Sequence, residues 1–190
     1  MSYEAIVIGV SSGGMKALKL LFSLLPKGFK TPIIIVQHMS AHSDNEWIQL
    51  LNDTYAVDIK EADEKEKIEN GKIYFAPSNY HLLIEKDITF SLTIDERVNY
   101  ARPSIDVLFE SAADAYKNKL IGVILTGSNN DGTVGLKRIK EYGGLTIVQD
   151  PETAESAYMP TSAIEAVKPD YILSLQEIIK LLIKLDRQKH

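Results

Sequence analysis

Apolar positions follow two alternating rhythms along the chain. Ala5 to Ile8, Thr31 to Val36 and Leu120 to Leu125 are short runs of strand length with no polar face, the pattern of a parallel sheet covered on both sides. Between such runs, apolar residues recur at helical spacing from Met15, from Ile105 through Leu108 to Ala112, and between Thr133 and Tyr142. Pro26 and Gly28 end the first helix, and Gly143 is an αL cap for the third. Ser43 with Glu46 reads as a capping box for a helix from about Asp44 to Leu51, Ala56 to Ile59 as a short strand, and Ser104 as the N-cap of the helix beginning at Ile105. Residues 61–70 mix both charge signs and end at an Asn-Gly turn, which marks a solvated connection.

Lys72 to Ala76, Tyr80 to Glu85 and Ile88 to Thr93 are strand-like, the last two forming a hairpin expected at one edge of the sheet. Leu145 to Val148 and Tyr171 to Leu173 supply further strands, and Pro160 to Val167 a helix. Ser174 and Glu177 form a capping box for a final helix with Leu175, Ile178, Ile179, Leu182 and Ile183 on one face. Strands alternating with helices predict an α/β fold: a single doubly wound, Rossmann-like domain over residues 1–190, with a mainly parallel sheet and an antiparallel edge hairpin.

Composition narrows the functional classes. With 45% hydrophobic residues the chain can bury a full core. Its 21 basic and 26 acidic residues give a net charge of −5, which opposes a non-specific grip on nucleic acid or anionic lipid. The absence of cysteine removes disulfides, thiolate nucleophiles and thiolate zinc sites. No run is long enough for a bilayer span and the N-terminus lacks a signal-peptide pattern, so a cytoplasmic protein is expected, without membrane insertion.

In this architecture ligands bind beyond the carboxyl ends of the strands, which directs attention to polar residues there. The glycine-rich IGVSSGG is a strand-to-helix turn, but it lacks the spacing of a dinucleotide fingerprint and the Gly-Lys-Ser/Thr of a P-loop. Such a turn suits a serine nucleophile, with Ser11 exposed above the sheet and the Ser12 amide beside it; an ordinary N-cap is the alternative for either serine. His38 follows the second strand and is the candidate base, unless it merely satisfies loop backbone groups. Nearby His42 and Asp44 raise a metal reading that His81 and His190 do not close, and no cofactor is expected. Asp131, after another strand, suits the role of orienting the imidazole; a helix cap or turn residue is its alternative. Arg102 stands where it can face the ligand end.

IGVSSGGMKAL, VQHMSAH, IYFAPSNYHLLIE, ARPSIDVLFESAA, ILTGSNNDGTVGLKRIKEYGGLTIVQDPETAESAYMP and MPTSAIEA resemble, in that order, the catalytic domain of chemotaxis protein-glutamate methylesterases, the CheB-type family. The resemblance implies that Ser11, His38 and Asp131 are a catalytic triad. It also implies hydrolysis of glutamyl γ-methyl esters on chemoreceptors, and often deamidation of receptor glutamines. Ser12, Gly127 and Ser128 are then the expected oxyanion and substrate neighbours, Ser128 replacing a methionine of well-studied members. Many members carry an N-terminal receiver domain, and this chain opens on the first catalytic strand. Methylated chemoreceptor domains are therefore the expected partners, with regulation, if any, through a separate receiver protein in trans. The alternatives are a non-catalytic interaction module of the same fold and a nucleotide-binding domain.

Overall fold

A computed structural model describes residues 2–39 and 46–188. Seven strands form one parallel sheet in the order β3 (Asp58–Glu61), β4 (Lys72–Phe75), β2 (Ile33–Gln37), β1 (Ala5–Val10), β7 (Leu120–Ile124), β8 (Leu145–Gln149) and β9 (Tyr171–Leu173). β1, β2 and β7 are buried at every position, which is why their sequences show no alternation.

Alternate residues of the strands feed two cores. Ile6, Ile8 and Val10 of β1 pack with Leu18 and Phe22 of α1 (Gly14–Leu24), Ile48 and Leu51 of α2 (Glu46–Thr54) and Ile178 and Leu182 of α6 (Leu175–Arg187). Ala5 and Val7 share the opposite core with Leu108 and Phe109 of α3 (Ile105–Tyr116), Leu136 and Ile139 of α4 (Thr133–Glu141), and Met159 and Ala163 of α5 (Tyr158–Val167). Helices on both faces make the sheet doubly wound, as the alternating rhythms predict. The Ser104 cap and the Ser174–Glu177 capping box are both formed. The predicted Ser43 cap lies outside the described residues, as do His42, Asp44 and His190.

The hairpin departs from its expected place. β5 (His81–Ile84) and β6 (Phe90–Thr93) pair antiparallel, but as a separate two-stranded sheet and not as an edge of the main one. The two edges of the main sheet are β3, beside β4, and β9, beside β8. The apolar side of the hairpin, Leu82, Ile84 and Phe90, is instead buried in the core that holds α3, and the Ile84 amide donates to Ser111 Oγ of that helix (3.0 Å). Strand periodicity specifies a half-buried hairpin, but not which surface buries it.

Candidate active site

Three neighbouring strands, β2, β1 and β7, end on one rim, and their ladders run one step further than the strands. Val10 stands opposite Gln37 in register, and the next amide, His38 N–H, donates to Val10 O (3.1 Å). On the other side Ser11 N–H donates to Thr126 O (2.9 Å). Sheet register therefore fixes the backbones of Ser11 and His38 before their side chains interact. The buried Gln37 adds a cross-tie: its Nε2 donates to Ser11 O (3.0 Å) and His38 O (3.1 Å).

The turn after β1 does not use a serine as a cap. The N-cap of α1 is Gly13, at φ 79°, a left-handed conformation that glycine adopts without strain. Both serine hydroxyls are thus free for other partners. Ser12 Oγ meets Ser128 Oγ at 2.8 Å, and Ser11 Oγ lies 3.2 Å from His38 Nδ1. His38 Nε2 stands 2.8 Å from Asp131 Oδ2, with the imidazole 14% exposed and the carboxylate fully buried. A carboxylate can only accept, so Nε2 carries the proton and Nδ1 presents its lone pair to Ser11.

Asp131 is not the cap of α4, whose N-cap is Gly132 without a side-chain bond. It caps α3 instead. Oδ2 accepts from the Ile105 amide (2.6 Å), and Oδ1 accepts from the Asp106 amide (3.1 Å), Ser104 Oγ (2.8 Å) and Asn99 Nδ2 (3.1 Å). Burial alone would raise its pKa, but the His38 hydrogen bond, the two helix amides and the attraction of His38 outweigh burial and hold it below the ordinary carboxylate value. Among the described residues, the neighbouring Asp106 side chain has only Gly135 N–H (2.7 Å) and Asn99 Nδ2 (2.8 Å) as donors. Burial first, and then the charge of Asp131, push it up to about 6.

The rim opens into a cleft of about 360 Å³ lined by Ser11, His38, Met39, Arg97, Asn99, Tyr100, Ala101, Arg102, Pro103 and Asn129. The two oxyanion candidates on the β7 side differ. The Gly127 amide is committed to Ser156 O (3.1 Å), whereas the amides of Ser12 and Ser128 have no hydrogen-bond partner among the described residues. Gly127 matters through its missing side chain: a Cβ there would lie 2.7 Å from Met159 Cε and 3.0 Å from Ser11 Cβ. Arg102 reaches the cleft, yet its guanidinium holds Asn79 Oδ1 (2.9 Å) and the carbonyls of Ile94 (2.8 Å) and Asp95 (3.0 Å), so it braces the loop that walls the cleft. His81 is structural, with Nε2 donating to Glu96 O and Nδ1 accepting from Ser104 N–H.

Sequence reasoning missed four contributors: Gln37, Asn99, Asp106 and Asn129. Gln37 carried a readable signal, as the polar last residue of an apolar strand. Asn129 stood within the strand-end motif. Asn99 and Asp106 carried none, because nothing local brings residues 99 and 106 to residue 131.

A serine, a histidine and an aspartate in one hydrogen-bonded line, at the carboxyl rim of a parallel sheet, define a class of α/β protein equipped for acyl transfer. The model of the CheB methylesterase family matches residues 6–182. A Leptospira interrogans protein, whose name assigns it provisionally as a protein-glutamate methylesterase/protein-glutamine glutaminase, is 62% identical over 187 residues, 98% of this chain and 97% of its own length. The Thermotoga maritima protein-glutamate methylesterase/protein-glutamine glutaminase is 38% identical over 97% of this chain, which spans 55% of that relative. The crystal structure of the Thermotoga maritima CheB methylesterase catalytic domain superposes with a TM-score of 0.91, covering 97% of this chain and 100% of that one. The chain belongs to the CheB methylesterase family.

Proposed function

We propose that this protein is a cofactor-free serine hydrolase that removes methyl esters from glutamyl γ-carboxylates of chemoreceptors, with residues 1–190 acting as one catalytic domain. The observation that carries the reading is the unbroken line from Ser11 Oγ through the imidazole of His38 to the buried carboxylate of Asp131. In the reaction His38 Nδ1 takes the Ser11 proton as Oγ attacks the γ-carbonyl carbon, and the Ser12 and Ser128 amides receive the oxyanion. The intermediate collapses, methanol leaves with the proton from Nδ1, and water repeats the cycle to release the glutamate. A primary amide enters the same cycle with ammonia as leaving group, in line with the paired activities in the relatives' names.

The substrate is the cytoplasmic part of a methylated chemoreceptor, which places the enzyme in the cytoplasm, with a separate receiver protein as the candidate regulator in trans. In support, no helix among the described residues is long and apolar enough to cross a membrane. The test is methanol release from a methyl-esterified receptor fragment. The parent should turn over, and Ser11→Ala should fall to the uncatalysed background with unchanged melting temperature, since alanine fits the turn. Full turnover in Ser11→Ala would remove Ser11 from the mechanism. Receptor binding without turnover by the parent would identify an interaction module.

A further inference from the structure

Asn129 follows Ser128 on the β7 loop and is held at both ends of its amide. Oδ1 accepts from the Asp131 amide (3.0 Å), which turns the NH₂ group toward the reacting atoms. Nδ2 donates to His38 Nδ1 at 3.1 Å and reaches Ser11 Oγ at 3.5 Å. Nδ1 has a single lone pair, so in the resting site the Asn129 N–H and the Ser11 O–H compete for one acceptor.

We propose that Asn129 is a catalytic residue whose side-chain amide leaves His38 during the reaction and donates to the oxyanion. The inference rests on the serine-esterase reading above. When Ser11 Oγ bonds to the carbonyl carbon, the π pair moves onto oxygen and the Ser11 proton moves to Nδ1. Nδ1 then carries an N–H that faces the Asn129 N–H, and the amide has lost its acceptor. At the same moment the carbonyl oxygen, attached to the carbon now bonded to Oγ, becomes an alkoxide within reach of Nδ2. The amide therefore exchanges a neutral acceptor for a charged one in the transition state, the differential interaction that lowers a barrier. Collapse reverses the exchange: the carbonyl re-forms, methanol departs with the Nδ1 proton, and Asn129 returns to the lone pair. The Ser12 and Ser128 amides supply two donors, and Asn129 supplies a third that is absent from the backbone.

The test compares Asn129→Ala and Asn129→Asp in the full chain, with methanol release from a methyl-esterified receptor fragment and thermal melting as readouts. The aspartate retains an acceptor for the Asp131 amide and so preserves the turn, but it offers no donor and sets a negative charge beside the oxyanion. We expect kcat of Asn129→Ala to fall by about 10²–10³ with little change in KM, and Asn129→Asp to be slower still while melting close to the parent. If Asn129 only shapes the turn, Asn129→Asp will turn over like the parent, and that result overturns the proposal, as does a loss in Asn129→Ala carried by KM alone. Failure of the underlying reading looks different, because Ser11→Ala would then keep its turnover while the Asn129 variants do whatever they do.

Discussion

Replacing Asp131 by Asn tests the site where fold and chemistry share one side chain. The amide can point its carbonyl at either set of donors. At the Oδ2 position stand the Ile105 amide (2.6 Å) and His38 Nε2 (2.8 Å); at Oδ1 stand the Asp106 amide (3.1 Å), the Asn99 amide group (3.1 Å) and the rotatable Ser104 hydroxyl (2.8 Å). Each position holds one backbone N–H that cannot turn away, but the Ile105 bond is the shorter (2.6 Å against 3.1 Å), and at the Oδ1 position the Ser104 hydroxyl can rotate to accept from the new NH₂. The carbonyl therefore takes the Oδ2 position, and His38 keeps the tautomer that presents Nδ1 to Ser11. What is lost is the negative charge opposite the imidazolium. A charged hydrogen bond exceeds a neutral one by about 1.5 kcal/mol, and a unit charge about 4 Å away contributes about 4 kcal/mol at an effective dielectric of 20. Turnover should thus fall by about 10- to 10³-fold, short of the roughly 10⁴-fold that accompanies a wrong tautomer. The Asp106 amide, left without its acceptor, costs about 1–3 kcal/mol of stability, partly offset by the relief of Asp106. Methanol release and urea unfolding on the same preparation measure both. Unchanged turnover with reduced stability would refute the argument and leave Asp131 as a helix cap alone; a loss of 10⁴-fold would show that the amide turns its NH₂ to His38.

Two further expectations concern pH and packing. Asp106 is raised to about 6, so between the unfolded value of about 3.9 and about 6 the native state keeps a proton that the unfolded chain releases, and stability should fall by roughly 2–3 kcal/mol as pH rises through that window. Asp131 acts with the opposite sign, its contribution being present above about 3.9 and lost as pH drops below it. Urea midpoints at pH 4.5 and 7 should therefore differ less in Asp106→Asn than in the parent, and equal slopes in the two proteins would assign the effect to another group. Gly127→Ala should lower kcat by about tenfold or more, because the new methyl displaces either Ser11 or Met159; a fully active variant would show that Met159 alone yields.

How much of this was legible in the sequence divides along a physical line. Ser11 and His38 were readable because each is the first residue beyond a fully buried strand, and the ladder that continues past Val10 and Gln37 sets their positions. Asp131 was readable as a strand-end carboxylate, but its true backbone partners were not: local rules offered the helix that follows it, and the molecule uses the helix that precedes it by some 25 residues of chain. The wall of the cleft, with Asn99, follows no periodicity, so only the folded chain reveals that its amide bridges Asp106 and Asp131. That long-range choice has a consequence for how the site can change. The α3 N-terminus stabilises the carboxylate with the same amides whose donors the carboxylate satisfies, so the charge that steadies the imidazole cannot be removed without also leaving at least one first-turn amide of a core helix short of its acceptor. Ser11 has no such second duty, and neither serine caps α1. Substitutions at the nucleophile should accordingly cost activity alone, whereas every substitution at Asp131 that removes the carboxylate must alter activity and stability together.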